Sequence, residues 1–166
     1  MNNKAMIIGA IDAGKTTLIN ELVGNDAKAA KTQTLQYHQW IVDTPGEYTE
    51  NPLFYKNIMA TSFQMTHVIY VQDATTIKNI FPPGFASGIP KLSIGVVTKA
   101  DAEDANIERS IEQLKKVMIR GPIVVTSAVH KRGIDYIKPL VNCRTYEEMK
   151  QFVEQTDDAY LIYLDK

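Results

Sequence analysis

Two hydrophobic patterns alternate along this chain. Short continuous apolar runs are typical of strands buried on both faces of a sheet, and they lie at residues 5–8, 68–71, 92–97 and 123–125. Between them, apolar positions recur at helical spacing, which predicts helices at residues 15–23, from Asn51-Pro52 onward, and over 107–118. The alternation predicts an α/β fold with a mostly parallel central sheet and helices on both faces.

Individual residues predict where several elements begin and end. Gly24 is placed to end the first helix, and Asn51-Pro52 pairs an N-cap with a proline at the first helical position. Gly121-Pro122 is expected to close the helix over 107–118, and residues 35–42 are expected to run extended into Asp43. The helix that starts at Pro52 is expected to carry its apolar side chains at Phe54, Ile58, Met59 and Phe63.

Two segments depart from the regular alternation. Residues 75–90 are short and rich in proline, so we expect a turn and a loop in place of a crossover helix; Phe81 and Phe85 there either pack onto the domain or contact a partner. Thr145-Tyr-Glu-Glu148 has capping-box spacing, which predicts a C-terminal helix. We expect one domain over 1–143, with 144–166 packed on it as a helix and a tail or short strand. An oligomer contact is the alternative for this helix.

Composition narrows the classes of function. The chain has 166 residues, 22% of them charged, and a formal net charge of −1, so it has no broad electrostatic footprint for nucleic acid or an anionic membrane. Its apolar runs fall short of the roughly 20 residues that a spanning helix needs. The single cysteine, Cys143, cannot form an internal disulfide, which is typical of a reducing compartment. We expect a cytoplasmic protein, a monomer or weak dimer, that binds neither nucleic acid nor membrane.

A phosphate-binding loop is predicted between the first strand and the first helix. Its glycines let backbone N–H groups converge on phosphate oxygens, and the helix N-terminus adds the positive end of its dipole. Lys15 can reach the β- and γ-phosphates, and the hydroxyl of Thr16 can ligate Mg²⁺. The residues expected to contact the nucleotide here are Gly9, Ala10, Ile11, Asp12, Ala13, Gly14, Lys15, Thr16 and Thr17.

A second strand end supplies a carboxylate for the metal. Asp43-Thr-Pro-Gly46 follows the extended segment that ends in Val42. Asp43 is expected to hold a water bound to Mg²⁺, and the N–H of Gly46 is expected to contact the γ-phosphate. Alone, Asp-x-x-Gly is also a common turn; its place at a strand end favours the metal site.

Two later strand ends indicate which base is bound. In Thr98-Lys99-Ala-Asp101, the carboxylate of Asp101 can accept from both N1–H and the exocyclic amine of guanine, whereas adenine would leave it unpaired. Lys99 is expected to lie along the base, and Ser127-Ala128 to bring backbone N–H groups near the guanine oxygen. The predicted ligands are GTP or GDP with Mg²⁺, with ATP less favoured.

Together these motifs resemble those of the small Ras-like GTPases of the P-loop superfamily. Two strings, Lys31-Thr-Gln-Thr34 and Asp43-Thr-Pro-Gly-Glu-Tyr48, are similar to those of the EutP/PduV family. That resemblance implies a three-layer P-loop NTPase fold, a small G domain, and a link to ethanolamine or propanediol utilisation and to bacterial microcompartments. It also implies that Thr32 supplies a second hydroxyl to Mg²⁺ and acts in catalysis with Lys15; Thr34 is the alternative.

Two residues depart from the usual GTPase pattern. Thr98 stands where most GTPases have asparagine, so one hydroxyl replaces an amide that ties the base loop to the phosphate loop. Glu47 follows Asp-x-x-Gly where many relatives have glutamine. Ionised glutamate can only accept hydrogen bonds and adds negative charge near phosphate. We expect slow hydrolysis, with Glu47 acting as a base, waiting for a partner, or simply facing solvent.

Three functions remain open at this point. The leading one is a slow GTPase switch that a regulatory or microcompartment shell protein reads. The second is a nucleotide-binding scaffold of the microcompartment with negligible turnover. The third is an ATP-dependent acetate kinase, an activity also attributed to the resembled family, against which Asp101 argues.

Overall fold

The computed structural model describes residues 2–24 and 34–165. The strands within this part of the chain are β1 Ala5–Ile8, β2 Gln36–His38, β3 Ile41–Asp43, β4 His67–Asp73, β5 Leu92–Thr98, β6 Arg120–Val125 and β7 Leu161–Asp165. The helices there are α1 Lys15–Val23, α2 Glu47–Glu50, α3 Tyr55–Ser62, α4 Ile107–Val117, α5 Ile137–Asn142 and α6 Tyr146–Thr156. Single turns of 3₁₀ helix lie at Pro52–Phe54, Phe85–Gly88 and Ile134–Tyr136.

In the described residues the strands form one sheet in the order β2-β3-β1-β4-β5-β6-β7. The five strands from β3 to β6 are parallel, while β2 and β7 lie antiparallel at the two edges. The parallel centre therefore brings the carboxyl ends of β1, β3, β4, β5 and β6 to one edge of the sheet, where open α/β sheets bind their ligands.

Both faces of the sheet are covered by helices. On one face, α1, α5 and α6 pack with Leu18, Leu140 and Met149 against the strands. On the other face, α3 and α4 pack with Ile58 and Leu114. The central strands are buried on both faces, in agreement with their continuous apolar runs. The predicted three-layer α/β fold of the P-loop NTPases, with a mostly parallel sheet, is confirmed.

Three local predictions were wrong. Residues 35–42 do not form one extended segment, because the chain turns at Gln39-Trp40 and β2 folds back on β3. Gly121-Pro122 does not close a helix: α4 ends at Val117, and the pair lies inside β6. Phe63 is 76% exposed, so only part of the predicted apolar stripe of α3 packs on the sheet.

The crossover from β4 to β5 has the predicted reduced form. In residues 74–91, all of which are described, one 3₁₀ turn replaces a crossover helix. Phe81 is buried, and both it and Phe85 pack around Tyr70. These two aromatic side chains therefore serve packing within the domain.

Residues 144–165 form α6 and β7, and both elements contact the sheet. Thr145 caps α6 by accepting from the N–H of Glu148 at 3.1 Å, and Met149 is fully buried on the sheet. β7 then pairs antiparallel with β6, and Asp158 accepts a hydrogen bond from the hydroxyl of Tyr136.

Candidate nucleotide site

The predicted phosphate loop joins β1 to α1 at the carboxyl edge of the sheet. Gly14 has φ 92° and Asp12 has φ 63°, so the loop curls through the left-handed region twice before α1 begins. Gly9 lies against the next strand: a Cβ there would come within 3.1 Å of Val71. The close approach favours glycine at position 9, and the positive φ favours it at position 14. Thr17 lies half-buried in the first turn of α1.

Lys15 is the buried cation of this loop. Its side chain is 6% exposed, and its Nζ donates to the carbonyl of Ala10 at 2.8 Å. Burial lowers the pKa of Lys15, which the nearby carboxylates of Asp43, Glu50 and Asp12 partly oppose. A buried ammonium held by the curl of the loop is arranged to meet anionic phosphate oxygens.

Two of the three predicted metal ligands, Thr16 and Asp43, lie together beside the loop. The hydroxyl of Thr16 donates to Oδ2 of Asp43 at 2.8 Å, and Asp43 is fully buried at the end of β3. No group of three or more His, Cys, Asp or Glu side chains that could hold a metal occurs in the described residues. Mg²⁺ in phosphate sites takes one or two protein ligands and completes its shell with water and phosphate. The Thr16–Asp43 pair fits that requirement.

The segment after Asp43 packs directly on the phosphate loop. A Cβ added to Gly46 would overlap the backbone nitrogen of Ile11, so glycine is required for this contact. Glu47 begins α2 and is half-buried. Glu50, one turn later, reaches the loop instead: its Oε2 accepts from the N–H of Ile11 at 3.0 Å. One N–H group of the phosphate loop, beside Lys15, therefore already donates to a carboxylate.

Thr98 ties the end of β5 to the phosphate loop. Its hydroxyl donates to the carbonyl of Ala13 at 2.6 Å, and the side chain is only 4% exposed. The sequence predicts that a hydroxyl stands here in place of the amide that most GTPases have. One buried hydrogen bond between the two loops is nevertheless present.

Lys99 makes a second tie to the same loop. It has φ 60°, and its Nζ donates to the carbonyl of Asp12 and to Oδ2 of Asp73, each at 2.7 Å. Burial raises the pKa of Asp73, but hydrogen bonds from Lys99 and Thr75 outweigh it, so that the pKa lies below its usual value. The Lys99 side chain is thus held across the end of β4, beside the predicted base position.

Asp101 and Ser127 come together from two strands. The hydroxyl of Ser127, which is buried, donates to Oδ1 of Asp101 at 2.7 Å. Asp101 itself is exposed, and the Ser127 hydrogen bond is the main reason that its pKa is lowered. Ala128 follows, half-buried, in the same loop. An exposed, ionised and oriented carboxylate is the arrangement needed to accept from two donors of a guanine base.

Thr32 lies outside the described residues. Thr34, the alternative second hydroxyl, is described and is exposed. The remaining predicted residues share the carboxyl edge of the sheet.

Sequence reasoning missed Glu50 and Asp73. Asp73 is the last residue of β4, and the rule that polar residues at strand ends meet at one edge would have found it. Glu50 carries no such signal, because its contact depends on the short helix α2, which was not predicted.

The model of the PduV-EutP family, described as "Ethanolamine utilisation - propanediol utilisation", matches residues 2–143. The chain belongs to this family. Its link to ethanolamine and propanediol utilisation, expected from the sequence, is confirmed at the level of the family.

Individual relatives agree with this assignment. The chain is 36% identical over 118 residues to "Probable acetate kinase EutP" of Salmonella typhimurium, covering 70% of this chain and 74% of that protein. It is 34% identical over 143 residues to the protein of the same name from Escherichia coli, covering 85% and 90%. "Propanediol utilization protein PduV" of Citrobacter freundii is 29% identical, with coverage of 85% and 94%.

Among solved structures, a bacterial selenocysteine-specific elongation factor, EF-Sec, matches with a TM-score of 0.58 at 22% identity. The match covers 96% of this chain and 30% of that one, so this chain corresponds to less than a third of the elongation factor. At this identity the likeness concerns the fold alone. In the described residues, no helix has the length and apolar character needed to cross a membrane.

Proposed function

We propose that this protein binds GTP or GDP with Mg²⁺ and hydrolyses GTP slowly, in ethanolamine or propanediol utilisation. Mg²⁺, when bound, would neutralise phosphate charge beside Thr16 and Asp43. The chain's own residues would cradle the phosphates with loop N–H groups and Lys15. We further propose a cytoplasmic location at a bacterial microcompartment, where a shell or regulatory protein reads the bound nucleotide.

The observation that carries the choice of base is the Asp101–Ser127 hydrogen bond of 2.7 Å. This hydrogen bond occupies one lone pair of the Asp101 carboxylate and holds the carboxylate in one orientation at the edge of the sheet. Guanine offers two adjacent donors to such a group, while adenine offers an acceptor at the ring nitrogen and would leave the carboxylate facing a lone pair. Lys99, tied to Asp12 and Asp73, supports the same loop.

The test is a comparison of GDP and ADP affinity in Asp101→Asn. An amide in place of the carboxylate presents a donor to a donor, so we expect GDP affinity to fall at least about tenfold while ADP affinity hardly changes. Asp104→Asn is the matched control, because Asp104 is exposed on the same loop. Equal affinity of the unchanged protein for ADP and GDP would contradict the choice of guanine.

Slow turnover is proposed because Glu47, not glutamine, follows Gly46. A glutamate can accept a proton from the attacking water but cannot donate to the γ-phosphate, and its charge opposes the anionic phosphate. In single-turnover GTP hydrolysis, Glu47→Ala should be slower by about tenfold or more, with Glu21→Ala as the control on the exposed side of α1. An unchanged rate would remove Glu47 from the mechanism.

Acetate kinase activity is the second candidate. The relatives from Salmonella typhimurium and Escherichia coli are named "Probable acetate kinase EutP". The N–H of Ile11 already donates to a carboxylate, that of Glu50. If α2 moves away, the same N–H could hold acetate. One acetate oxygen would then attack the γ-phosphorus, the bond to the β,γ-bridging oxygen would break with its electron pair leaving on ADP, and acetyl phosphate would form.

One assay separates these functions. Purified protein is incubated with Mg²⁺ and either GTP or ATP, with and without acetate; released phosphate is measured, and acetyl phosphate is trapped with hydroxylamine and measured as acetyl hydroxamate. Acetate-independent release of phosphate from GTP supports the GTPase. Acetate-dependent formation of acetyl hydroxamate from ATP supports the kinase and contradicts the GTPase proposal. Tight GTP binding without turnover of either nucleotide supports a scaffold.

A further inference from the structure

A second concave site lies at the opposite edge of the sheet from the phosphate loop. It is a cavity of about 1070 Å³ at the amino ends of the parallel strands. Lys4 precedes β1, His67 begins β4, Leu92 begins β5 and Arg120 begins β6, and all four line it. Because nucleotides bind at the carboxyl edge, this cavity is separate from the candidate nucleotide site.

The lining of this cavity has one sign of charge. Lys4, Lys91, Arg120 and Arg144 line it, and among the described lining residues there is no aspartate or glutamate. None of these four side chains forms an ion pair with another described residue. Asp165, which is opposite Arg120 in the sheet, pairs instead with Lys150 at 3.2 Å. The concentration of positive charge is local, since the whole chain has a formal net charge of −1.

One of the four cations is held in place before any ligand arrives. The guanidinium of Arg120 lies 4.2 Å from the centre of the Tyr146 ring. Tyr146 is itself fixed, because its hydroxyl accepts from the N–H of Ser93 at 3.0 Å. A guanidinium held on a ring face can still use its N–H edge to bind a carboxylate in bidentate fashion, with less loss of side-chain entropy than a mobile arginine.

Apolar side chains lie among these cations. Phe63 is 76% exposed and Ile119 is 54% exposed, and both line the cavity, whose wall also includes the buried Met65 and Ile89. Large apolar side chains exposed beside a cavity are a feature of sites that bind other proteins. Phe63 is one of the four apolar side chains predicted at helical spacing after Pro52, and it lines this cavity.

The chemistry of these groups selects a class of ligand. Exposed single cations bind a small anion weakly, because water and salt screen each contact. A chain segment with several carboxylates can engage the separated cations together, and its apolar side chains can cover Phe63 and Ile119.

We propose that this cavity is a docking site for an acidic peptide segment with apolar side chains, presented by a partner protein. Carboxylates of the segment bind Arg120 and Arg144, and its apolar side chains cover Phe63 and Ile119. The site leaves the carboxyl edge of the sheet accessible, so a nucleotide and the partner can be bound at the same time.

The test uses fluorescence anisotropy with a labelled peptide in which glutamates alternate with leucines. We expect it to bind at least about tenfold more tightly than the same peptide with glutamine in place of glutamate, and to weaken as salt is raised. It should also bind more tightly than an all-glutamate peptide of equal charge. Arg120→Glu combined with Arg144→Glu should reduce affinity at least about tenfold.

The matched control is Lys56→Glu with Lys78→Glu, which makes the same change in net charge at two exposed residues outside the cavity. We expect less than about a twofold change in that variant. Equal loss in both double variants would reduce the effect to overall charge and overturn the proposal. So would peptide displacement by inorganic phosphate at constant ionic strength, or preferential binding to vesicles of anionic phospholipid. Thermal unfolding of each variant verifies that it is folded.

Discussion

The hydrogen bond from Thr98 to the carbonyl of Ala13 is the shortest link between the base loop and the phosphate loop among the contacts described above. Replacing Thr98 by valine keeps the shape but removes the donor and leaves the buried carbonyl unsatisfied. We expect the free energy of unfolding to fall by about 1–3 kcal/mol. Urea unfolding without nucleotide measures it, and GDP affinity should fall in the same variant.

Thr98→Ser provides the control, because it retains the hydroxyl and loses a methyl group. It should lose less stability than Thr98→Val and keep most of the GDP affinity. If Thr98→Val binds GDP as the unchanged protein does, the tie between the loops does not contribute to nucleotide binding.

The carboxylate of Glu50 places a negative charge at the phosphate loop. Its carboxylate accepts from the N–H of Ile11 and lies close enough to Lys15 to oppose the lowering of that lysine's pKa. A γ-phosphate that approaches Lys15 and Gly46 meets this negative charge, whereas GDP lacks that group. Glu50→Gln should therefore raise the affinity for a non-hydrolysable GTP analogue, relative to GDP, by about two- to fivefold.

Competition against a fluorescent guanine nucleotide measures this ratio. Glu21→Gln removes one negative charge from an exposed place on α1 and should leave the ratio unchanged. A ratio that is the same in Glu50→Gln and Glu21→Gln would show that Glu50 does not compete with the γ-phosphate.

Single residues also show where sequence reasoning reaches its limit. Residues that follow a strand, such as Asp43 and Asp101, could be expected to lie at one edge of the sheet, because parallel strands bring their carboxyl ends together there. Glu50 could not, because its position depends on how a four-residue helix lies on a neighbouring loop. Thr98 was recognised as unusual, but the length and burial of its hydrogen bond needed coordinates.

At the scale of elements, α6 packs on the sheet and β7 extends it. β7 covers the edge of β6, which would otherwise present unpaired backbone groups. Met149 of α6 is fully buried against this side of the sheet. We propose that residues 144–166 are an integral part of the domain.

Met149→Ala tests this proposal. Loss of a fully buried methionine side chain leaves a cavity, so we expect the free energy of unfolding to fall by about 2–5 kcal/mol in a single transition. Gln151→Ala, at an exposed position of the same helix, should change it by less than about 0.5 kcal/mol. Separate unfolding of α6 ahead of the rest would show that it is an appendage.

The elements that sequence predicted well are those with long periodic or continuous apolar patterns. The apolar residues of β4, β5 and α4 are those that the core buries. Their order in the sequence therefore indicates a strand or a helix without tertiary information. The β2–β3 hairpin was missed because it turns at Gln39, a non-glycine residue with φ 46°, without a glycine or proline to mark it. Gly121 was misread for the opposite reason: a glycine inside β6 looked like a helix end.

For the molecule as a whole, the buried His67 makes stability depend on pH. His67 is fully buried at the start of β4, with Nδ1 2.7 Å from the hydroxyl of Thr66. Burial lowers its pKa from 6.5 to about 4, although the backbone of Cys143 partly opposes the shift. The unfolded chain therefore binds a proton that the folded protein does not between these two values.

The sign of the effect follows from this difference in proton binding. The contribution of His67 is fully present above pH 6.5 and is lost as the pH falls toward the folded value of about 4. The loss is about 3 kcal/mol when the shift is complete. The pKa values of Asp73 and Asp158 lie below their ordinary value of 3.8. The stability that these two carboxylates contribute is therefore lost mostly at lower pH than the contribution of His67.

Urea unfolding at a series of pH values from 7 downward checks this prediction. In His67→Asn, which keeps a polar group near Thr66 but cannot take up the proton, overall stability should be lower and the slope in this window should disappear. His38→Gln, at a half-buried position of β2, should keep the slope of the unchanged protein. A slope that persists in His67→Asn would mean that another group takes up the proton on unfolding, and that the burial of His67 is not the cause.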